Sequence, residues 1–248
     1  MSIKESLSQF KTVSLKDLNS VSLMNRVDIK FAFSKSNLIQ ILSEISQFYH
    51  VLKVNDSYIQ DYRSLYYDTA DRQFFVEHHN ERVNRHKVRF REYVNSGITF
   101  LEIKCKNNKG KTIKKRVKVT DIPQSLSSEH KAYITELIGK ELVLTPQHWI
   151  NFSRITFVNK LYTERLTIDL DLKFSNNSGQ GGFENVIIAE IKKERSTQSS
   201  KFTYIAKKYH ILPTRLSKYC MSTIDLNPSV KYNRFKKKIL LINKLKKI

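Results

Sequence analysis

The 248-residue chain is poor in the residues that punctuate or staple a fold. It has six glycines, four prolines and two cysteines. So few breakers, with no internal repeat and no Gly/Ser linker, exclude a collagen-like, low-complexity or multi-module chain. Cys105 and Cys220 stand far apart with no CxxC partner, which excludes a cysteine zinc site and a disulfide framework and fits a reducing, cytoplasmic setting. Long apolar runs are missing too: the N-terminus MSIKESLSQF has no signal-like apolar core, and Ile239 to Ile242 is far shorter than a membrane span. Acidic residues are also scarce. Lys and Arg number 44 against 23 Asp and Glu, a net charge of +21 spread along the chain. Such a field attracts nucleic acid, an anionic membrane surface or phosphate compounds, and composition alone does not choose among them.

The remaining sequence patterns as one domain with short extensions: a helical lead-in at 1–23, a main domain at 24–226 and a basic tail at 227–248. Period-two alternation rich in Val, Ile, Phe, Tyr and Thr predicts eight strands, near 24–33, 58–68, 84–94, 98–106, 111–120, 150–160, 163–174 and 184–194. Helical patterns fall at 35–49, opened by Ser34 or Ser36, at 71–79 after Asp71, at 128–139 and at 198–210. The tail KYNRFKKKILLINKLKKI carries eight Lys or Arg and no acid. It reads either as a solvated helix with a docked aliphatic stripe, or as a segment for a membrane surface or polyphosphate.

Residues two apart on a strand share a face. Charges recur at that interval on most of the strands: Arg26, Asp28, Lys30; Arg85, Lys87, Arg89, Arg91; Glu102, Lys104, Lys106; Lys114, Arg116, Lys118; Arg165, Asp169, Asp171; and Glu190, Lys192. The residues between them are mostly apolar. A single such strand is ordinarily a solvated face, but a basic face repeated around a closed barrel crowds cations into one lumen and calls for a polyanion. Phosphate oxygens accept bidentate, charge-assisted bonds from Arg and Lys, and Glu190, Glu102, Asp28 and Asp169 are carboxylates that could hold Mg2+ or Mn2+ beside them. Nucleic acid is not expected: no recognition motif for it is present, and a lumen suits a thin anion better than a duplex. His78 and His79 lack a third ligand at metal spacing and read as surface residues. Trp149 reads as core or interface, and Cys105 as an inert thiol on the apolar face.

RVDIKF (26–31), SLYYDT (64–69), KVRFREY (87–93), FLEIKCK (100–106), KKR (114–116), RLTID (165–169), AEIK (189–192) and LSKYC (216–220) together resemble the VTC domain, the polyphosphate polymerase family within the wider CYTH group of triphosphate tunnel metalloenzymes. The resemblance implies an α+β fold, an antiparallel eight-stranded tunnel barrel with flanking helices, and transfer of the ATP γ-phosphate to inorganic polyphosphate. It implies Lys30, Arg89, Arg91, Lys104, Arg154, Arg165 and Lys218 as catalytic clamps. Arg26, Lys87, Lys114, Arg116, Lys192 and Ser217 would be further phosphate ligands, and Glu190 and Glu102 the metal ligands, for Mn2+ or Mg2+. Two positions depart from the family: Arg-x-Asp-x-Lys replaces the glutamate-rich first strand of the hydrolases, and Phe152 stands where the VTC pattern has Tyr. The rival functions are a triphosphate hydrolase and a non-catalytic module for polyphosphate or inositol phosphates. Oligomeric state is left open.

Overall fold

The computed structural model describes residues 1–19, 26–109, 111–194 and 200–247, with the side chains of Asn19 and Arg26 outside that description. Eleven strands form one sheet: β1 (Thr12–Val13), β2 (Arg26–Ser34), β3 (Tyr49–Leu52), β4 (Ile59–Asp68), β5 (Arg85–Tyr93), β6 (Ile98–Lys106), β7 (Thr112–Val119), β8 (Thr145–Asn159), β9 (Glu164–Asn176), β10 (Gly179–Phe183) and β11 (Val186–Glu194). Among the described residues eight α-helices accompany it: α1 (Ile3–Ser8), α2 (Leu15–Asn19), α3 (Leu38–Ile45), α4 (Gln73–His79), α5 (Ser128–Ile138), α6 (Lys201–Lys208), α7 (Lys218–Leu226) and α8 (Lys236–Lys246). The eight expected strands make an antiparallel tunnel wall in the order β2-β11-β9-β8-β4-β5-β6-β7. The short β1, β3 and β10 attach to its flanks and were not foreseen.

Among the described residues the wall curls without closing by a ladder. Its two ends, β2 and β7, face one cavity of about 540 Å³ lined by Asp28 and Lys30 on one side and Thr112 on the other. The free edge of β2 is covered by chain: Thr214 donates its N–H to the Lys30 carbonyl at 2.7 Å, and Pro213 bridges to Phe31. An unpaired strand edge is thereby protected from adventitious pairing.

Apolar residues on the outer face of the wall bury against helices. Phe31, Phe33, Ile168, Ile187 and Ile191 pack with Leu38, Ile41 and Leu42 of α3 and Phe202 and Ile205 of α6. On the opposite side Val88, Phe90, Leu101 and Ile103 pack under Ile134 of α5. Each such side chain removed from water contributes roughly 1.5–3 kcal/mol before entropy is counted.

One irregularity changes what the lumen contains. Between the pairs Ser153–Leu170 and Asn151–Lys173 the β8–β9 ladder gains a residue on β9, and Asp171 adopts φ +50°. A one-residue insertion inverts the pleat. Asp169 faces inward before it, Leu172 and Phe174 face inward after it, and Asp171 is turned out to pair with Lys35 at 2.8 Å. The expectation that Asp171 shares a face with Asp169 is corrected by this bulge. Leu172 and Phe174 join Ala32, Ile150, Ile188, Val186, Tyr219 and Met221 in an apolar stopper beneath α7 and α8. The tail is docked: Phe235 and Ile242 are buried in this stopper. Among the described residues no helix is long and apolar enough to cross a membrane.

Helix starts follow local capping. Ser127 and Ser217 accept backbone N–H bonds at the starts of α5 and α7. The 35–49 helix is shorter than expected: Ser34 caps a 3-10 turn at Lys35–Asn37, and α3 follows, ending at Ile45. Asp71 does not cap α4. Thr69 Oγ1 accepts from Gln73 at 2.8 Å, and the buried Asp68 accepts from Phe74 and Phe75 at 2.9 and 3.0 Å.

Candidate functional site

Directly paired residues on neighbouring strands point to the same face, so the register assembles the site. It sets Lys30 beside Glu190 and Asp28 beside Lys192 on β2–β11. Arg154 lies beside Asp169 on β8–β9, Arg89 beside Glu102 on β5–β6, and Glu102 beside Arg116 on β6–β7. Lys104 lies between Lys87 and Lys114.

Three carboxylates organise the lumen. Glu102, 0% exposed, accepts from Arg89 Nε at 2.8 Å and Nη2 at 2.5 Å, and from Lys114 Nζ on its other oxygen. Burial pushes its carboxyl up, but Arg89, Arg91 and Lys114 outweigh that and hold it well below the usual carboxylate range. Asp169, 1% exposed, takes a bidentate pair from Arg154 at 2.5 and 2.9 Å and a further bond from Lys218 at the start of α7. Burial raises its pKa, yet Arg154 and Lys218 bring it down to about 2. Glu190 contacts Lys192 at 2.9 Å and Lys30 at 3.7 Å. Burial raises it too, and these lysines hold it below its usual range.

The cations exceed these carboxylates. Lys87 and Lys104 make no hydrogen bond or ion pair among the described residues, and burial lowers the pKa of both, with Lys30 further depressing Lys87 and Arg89 further depressing Lys104. Burial also lowers Lys114, to about 8, against the pull of Glu102. Arg91, 7% exposed, bonds Ser64 Oγ at 3.1 Å and has no carboxylate partner among the described residues. Aromatic faces compensate in part. The Phe152 ring lies under Lys218, Arg154 and Arg91 at 4.9, 5.3 and 5.5 Å and stacks on Tyr62 at 5.1 Å. At the position where the family pattern has Tyr, this ring is a cation platform.

The expected residues therefore divide. Lys30, Lys87, Arg89, Arg91, Lys104, Lys114, Arg154, Glu102, Glu190, Lys192 and Lys218 share the lumen. Arg116 sits at its exposed rim, its guanidinium 4.4 Å from the Phe100 ring centroid. Arg165 reaches the Leu18 carbonyl at 2.8 Å, tying β9 to α2. The Ser217 hydroxyl accepts from the Cys220 N–H at 3.3 Å and so caps α7. The side chain of Arg26 lies outside the described residues. Glu102 and Glu190 are not brought together: each is engaged by its own cations, and no group of three His, Cys, Asp or Glu side chains forms a metal cage among the described residues. Glu190 fits a hard cation that takes most of its ligands from phosphate oxygens and water, as Mg2+ does.

His79 is not a surface residue. It is buried, with its ring nitrogens 2.9 Å from Asn80 Oδ1 and 2.7 Å from Asn233 Oδ1. His78 lines the lumen cavity, and burial with Lys87 and Arg85 lowers its pKa to about 2. Trp149 is partly buried in the core under α5, with Arg63 5.1 Å from its ring centroid, and Cys105 is half-buried with a thiol pushed up by burial. Sequence reasoning missed Tyr66, whose hydroxyl accepts from Arg89 Nη1 at 2.6 Å, and the Ser64 contact to Arg91. Both were legible, since they alternate with Leu65 on β4 as the charges do on β5. Arg85, read from the sequence as one of the alternating charges of β5, lines the cavity mouth, and Arg215, Arg234 and Lys238 beside it were missed.

No curated protein sequence matches the chain. Among solved structures, a proposed adenylyl cyclase from Hippeastrum with a dominant triphosphatase activity is 15% identical, covers 80% of this chain and 95% of its own, and superposes with a TM-score of 0.49. A proposed adenylate cyclase from Vibrio parahaemolyticus is 12% identical over 79% of this chain and 97% of its own, at 0.46. A conserved hypothetical protein from Pyrococcus furiosus is 14% identical over 83% and 97%, at 0.40. The family model of the VTC domain matches residues 25–227, from the first wall strand to the end of α7. The chain belongs to the VTC domain family.

Proposed function

We propose that the chain is a polyphosphate polymerase that transfers the γ-phosphate of ATP to the end of an inorganic polyphosphate chain inside the lumen. The observation that carries this reading is the surplus of cations in the lumen: the buried Arg91 and the half-buried Lys87 and Lys104 lack carboxylate partners among the described residues while Glu102 and Asp169 are saturated. A buried charge without a counter-charge is costly, and a thin polyanion supplies one.

In this reading Arg89, Arg91, Arg154 and Lys218 hold the triphosphate, with Glu102 and Asp169 fixing the guanidinium planes. A terminal phosphate oxygen of the acceptor attacks the γ-phosphorus, the bond from the γ-phosphorus to the bridging β–γ oxygen breaks, and ADP leaves with that oxygen. The acceptor oxygen is already anionic, so no strong base is required, and positioning with charge neutralisation supplies the rate. Glu190 would share a divalent cation with the phosphate oxygens, whose contribution is to neutralise developing charge. Engagement of Glu102 and Asp169 by two cations each disfavours their use as a base for water, which ranks hydrolysis second.

The test is incubation of purified protein with ATP and Mn2+ or Mg2+, following ADP and polyphosphate together. Polyphosphate that forms in wild type and disappears in Glu190→Ala is the expected result. Free phosphate without polymer would move the activity to hydrolysis, and binding without turnover would leave a sensor.

A further inference from the structure

The cavity does not end with the family's residues. One continuous space of about 540 Å³ runs from Lys30, Lys87 and Lys104 of the lumen out to Arg85, Arg215 and Lys238. The last of these lies on α8, beyond residue 227 where the family match stops. Its position is fixed rather than trailing. Phe235 and Ile242 anchor the segment in the apolar stopper, and Asn233 is tied to the buried His79.

The mouth has the electrostatics of an incomplete site. Arg85 Nε is buried without a hydrogen-bond partner. Arg215 and Lys238 form no ion pair among the described residues, and Lys238 lies 5.1 Å over the Phe235 ring. Two carboxylates line the cavity: Asp28 pairs with Lys192 at 3.2 Å, and Glu81 pairs with Arg234 of the mouth at 3.6 Å and also favours the charged form of Lys238, so cations remain in excess. His78, between the two cation sets, is held neutral by burial and by Lys87, Arg85, Lys238 and Lys30.

Resting on the reading of the lumen as a phosphate-chain site, we propose that Arg85, Arg215 and Lys238 form a distal subsite that binds the stretch of a linear polyphosphate lying outside the tunnel. The lumen grips the reacting end and the mouth grips the chain behind it. A triphosphate fills only the first, so the protein discriminates by chain length. A flexible, narrow polyanion fits the continuous cavity, whereas a single-stranded nucleic acid must also seat bases in a lining in which cationic and polar side chains outnumber Ile29, Pro213, Leu216 and Phe235.

The experiment is equilibrium binding without turnover, comparing tripolyphosphate, long-chain polyphosphate and a thymidine oligonucleotide of matched charge. Wild type should bind the long chain at least about tenfold tighter than tripolyphosphate, the scale of one or two added charge-assisted contacts. Arg215→Glu with Lys238→Glu should abolish that ratio. Lys236→Glu with Lys237→Glu makes the same charge change at exposed positions of the same helix and should preserve it, which separates a built subsite from the general field of the protein. Equal affinity for the two phosphates, an equal effect of the two double variants, or oligonucleotide binding as tight as polyphosphate would each overturn the proposal. ATP turnover without a length preference refutes the subsite and leaves the activity standing; a length preference without turnover does the reverse.

Discussion

Replacing Glu102 by Gln preserves side-chain shape and one acceptor but removes the negative charge that holds Arg89 and Lys114. Glu102 is fully buried, with Arg91 also nearby, so the variant leaves several cations facing one another in low dielectric. Removing one partner of a buried ion pair costs about 3–5 kcal/mol. For a chain of this size each kcal/mol moves the melting temperature by about 2–4 °C, so the ligand-free variant should melt about 6–20 °C below wild type. The pH sense follows from the depressed carboxyl: its stabilisation is complete above the unfolded-state pKa near 4.5 and is lost only as pH falls through the lower folded value. At neutral pH the loss in the variant is therefore full. Tripolyphosphate should restore more stability to the variant than to wild type, because its oxygens take the place of the missing carboxylate. At a hundred times Kd the ligand adds about 2.7 kcal/mol to wild type, and the variant should gain more. Thermal unfolding with and without tripolyphosphate measures both quantities. A variant that melts like wild type without ligand, or gains no more from it, would refute the view that the lumen cations are held apart by Glu102.

Arg91→Ala, which removes a buried cation with no carboxylate partner among the described residues, should lower turnover by about 10²–10³ with little loss of melting temperature, as steady-state assays and unfolding curves on the same sample will show. Tripolyphosphate affinity should fall as pH rises through about 8, because Lys114 must be protonated to serve the anion and binding takes up that proton; Lys114→Arg, still charged there, should remove this part of the profile while the ligand's own titration cancels in the comparison. Asp171→Val places a β-branched residue at φ +50° and should cost about 1–3 kcal/mol in urea unfolding, whereas Asp171→Gly should cost less.

The wall strands were legible because alternation of charge with apolar residues is a direct imprint of the pleat. Arg89, Phe90 and Arg91 announce the face each occupies, and Glu102 to Lys106 repeat it. Most lumen residues followed from that pattern alone, and the family resemblance added Arg154 and Lys218, whose surroundings carry no run of charges. The bulge at Asp171 was not legible: Asp169 and Asp171 keep the two-residue interval in sequence, and only the insertion against β8 reverses the second. Nor does the sequence say which carboxylate meets which cation, since Glu102 and Arg89 are joined by strand register and Lys218 meets Asp169 through the docking of α7.

By itself, then, the order of residues determined the strands, the charged face and its surplus of positive charge, because these depend on local periodicity and on the sign of charge. Tertiary structure alone decided that the lumen is stoppered by Leu172 and Phe174, that Glu102 and Glu190 serve separate clusters, and that Lys238 of the tail faces the cavity mouth. Those outcomes depend on how strands far apart in the chain are registered and how the last helices pack, and neither leaves a periodic signal in the sequence.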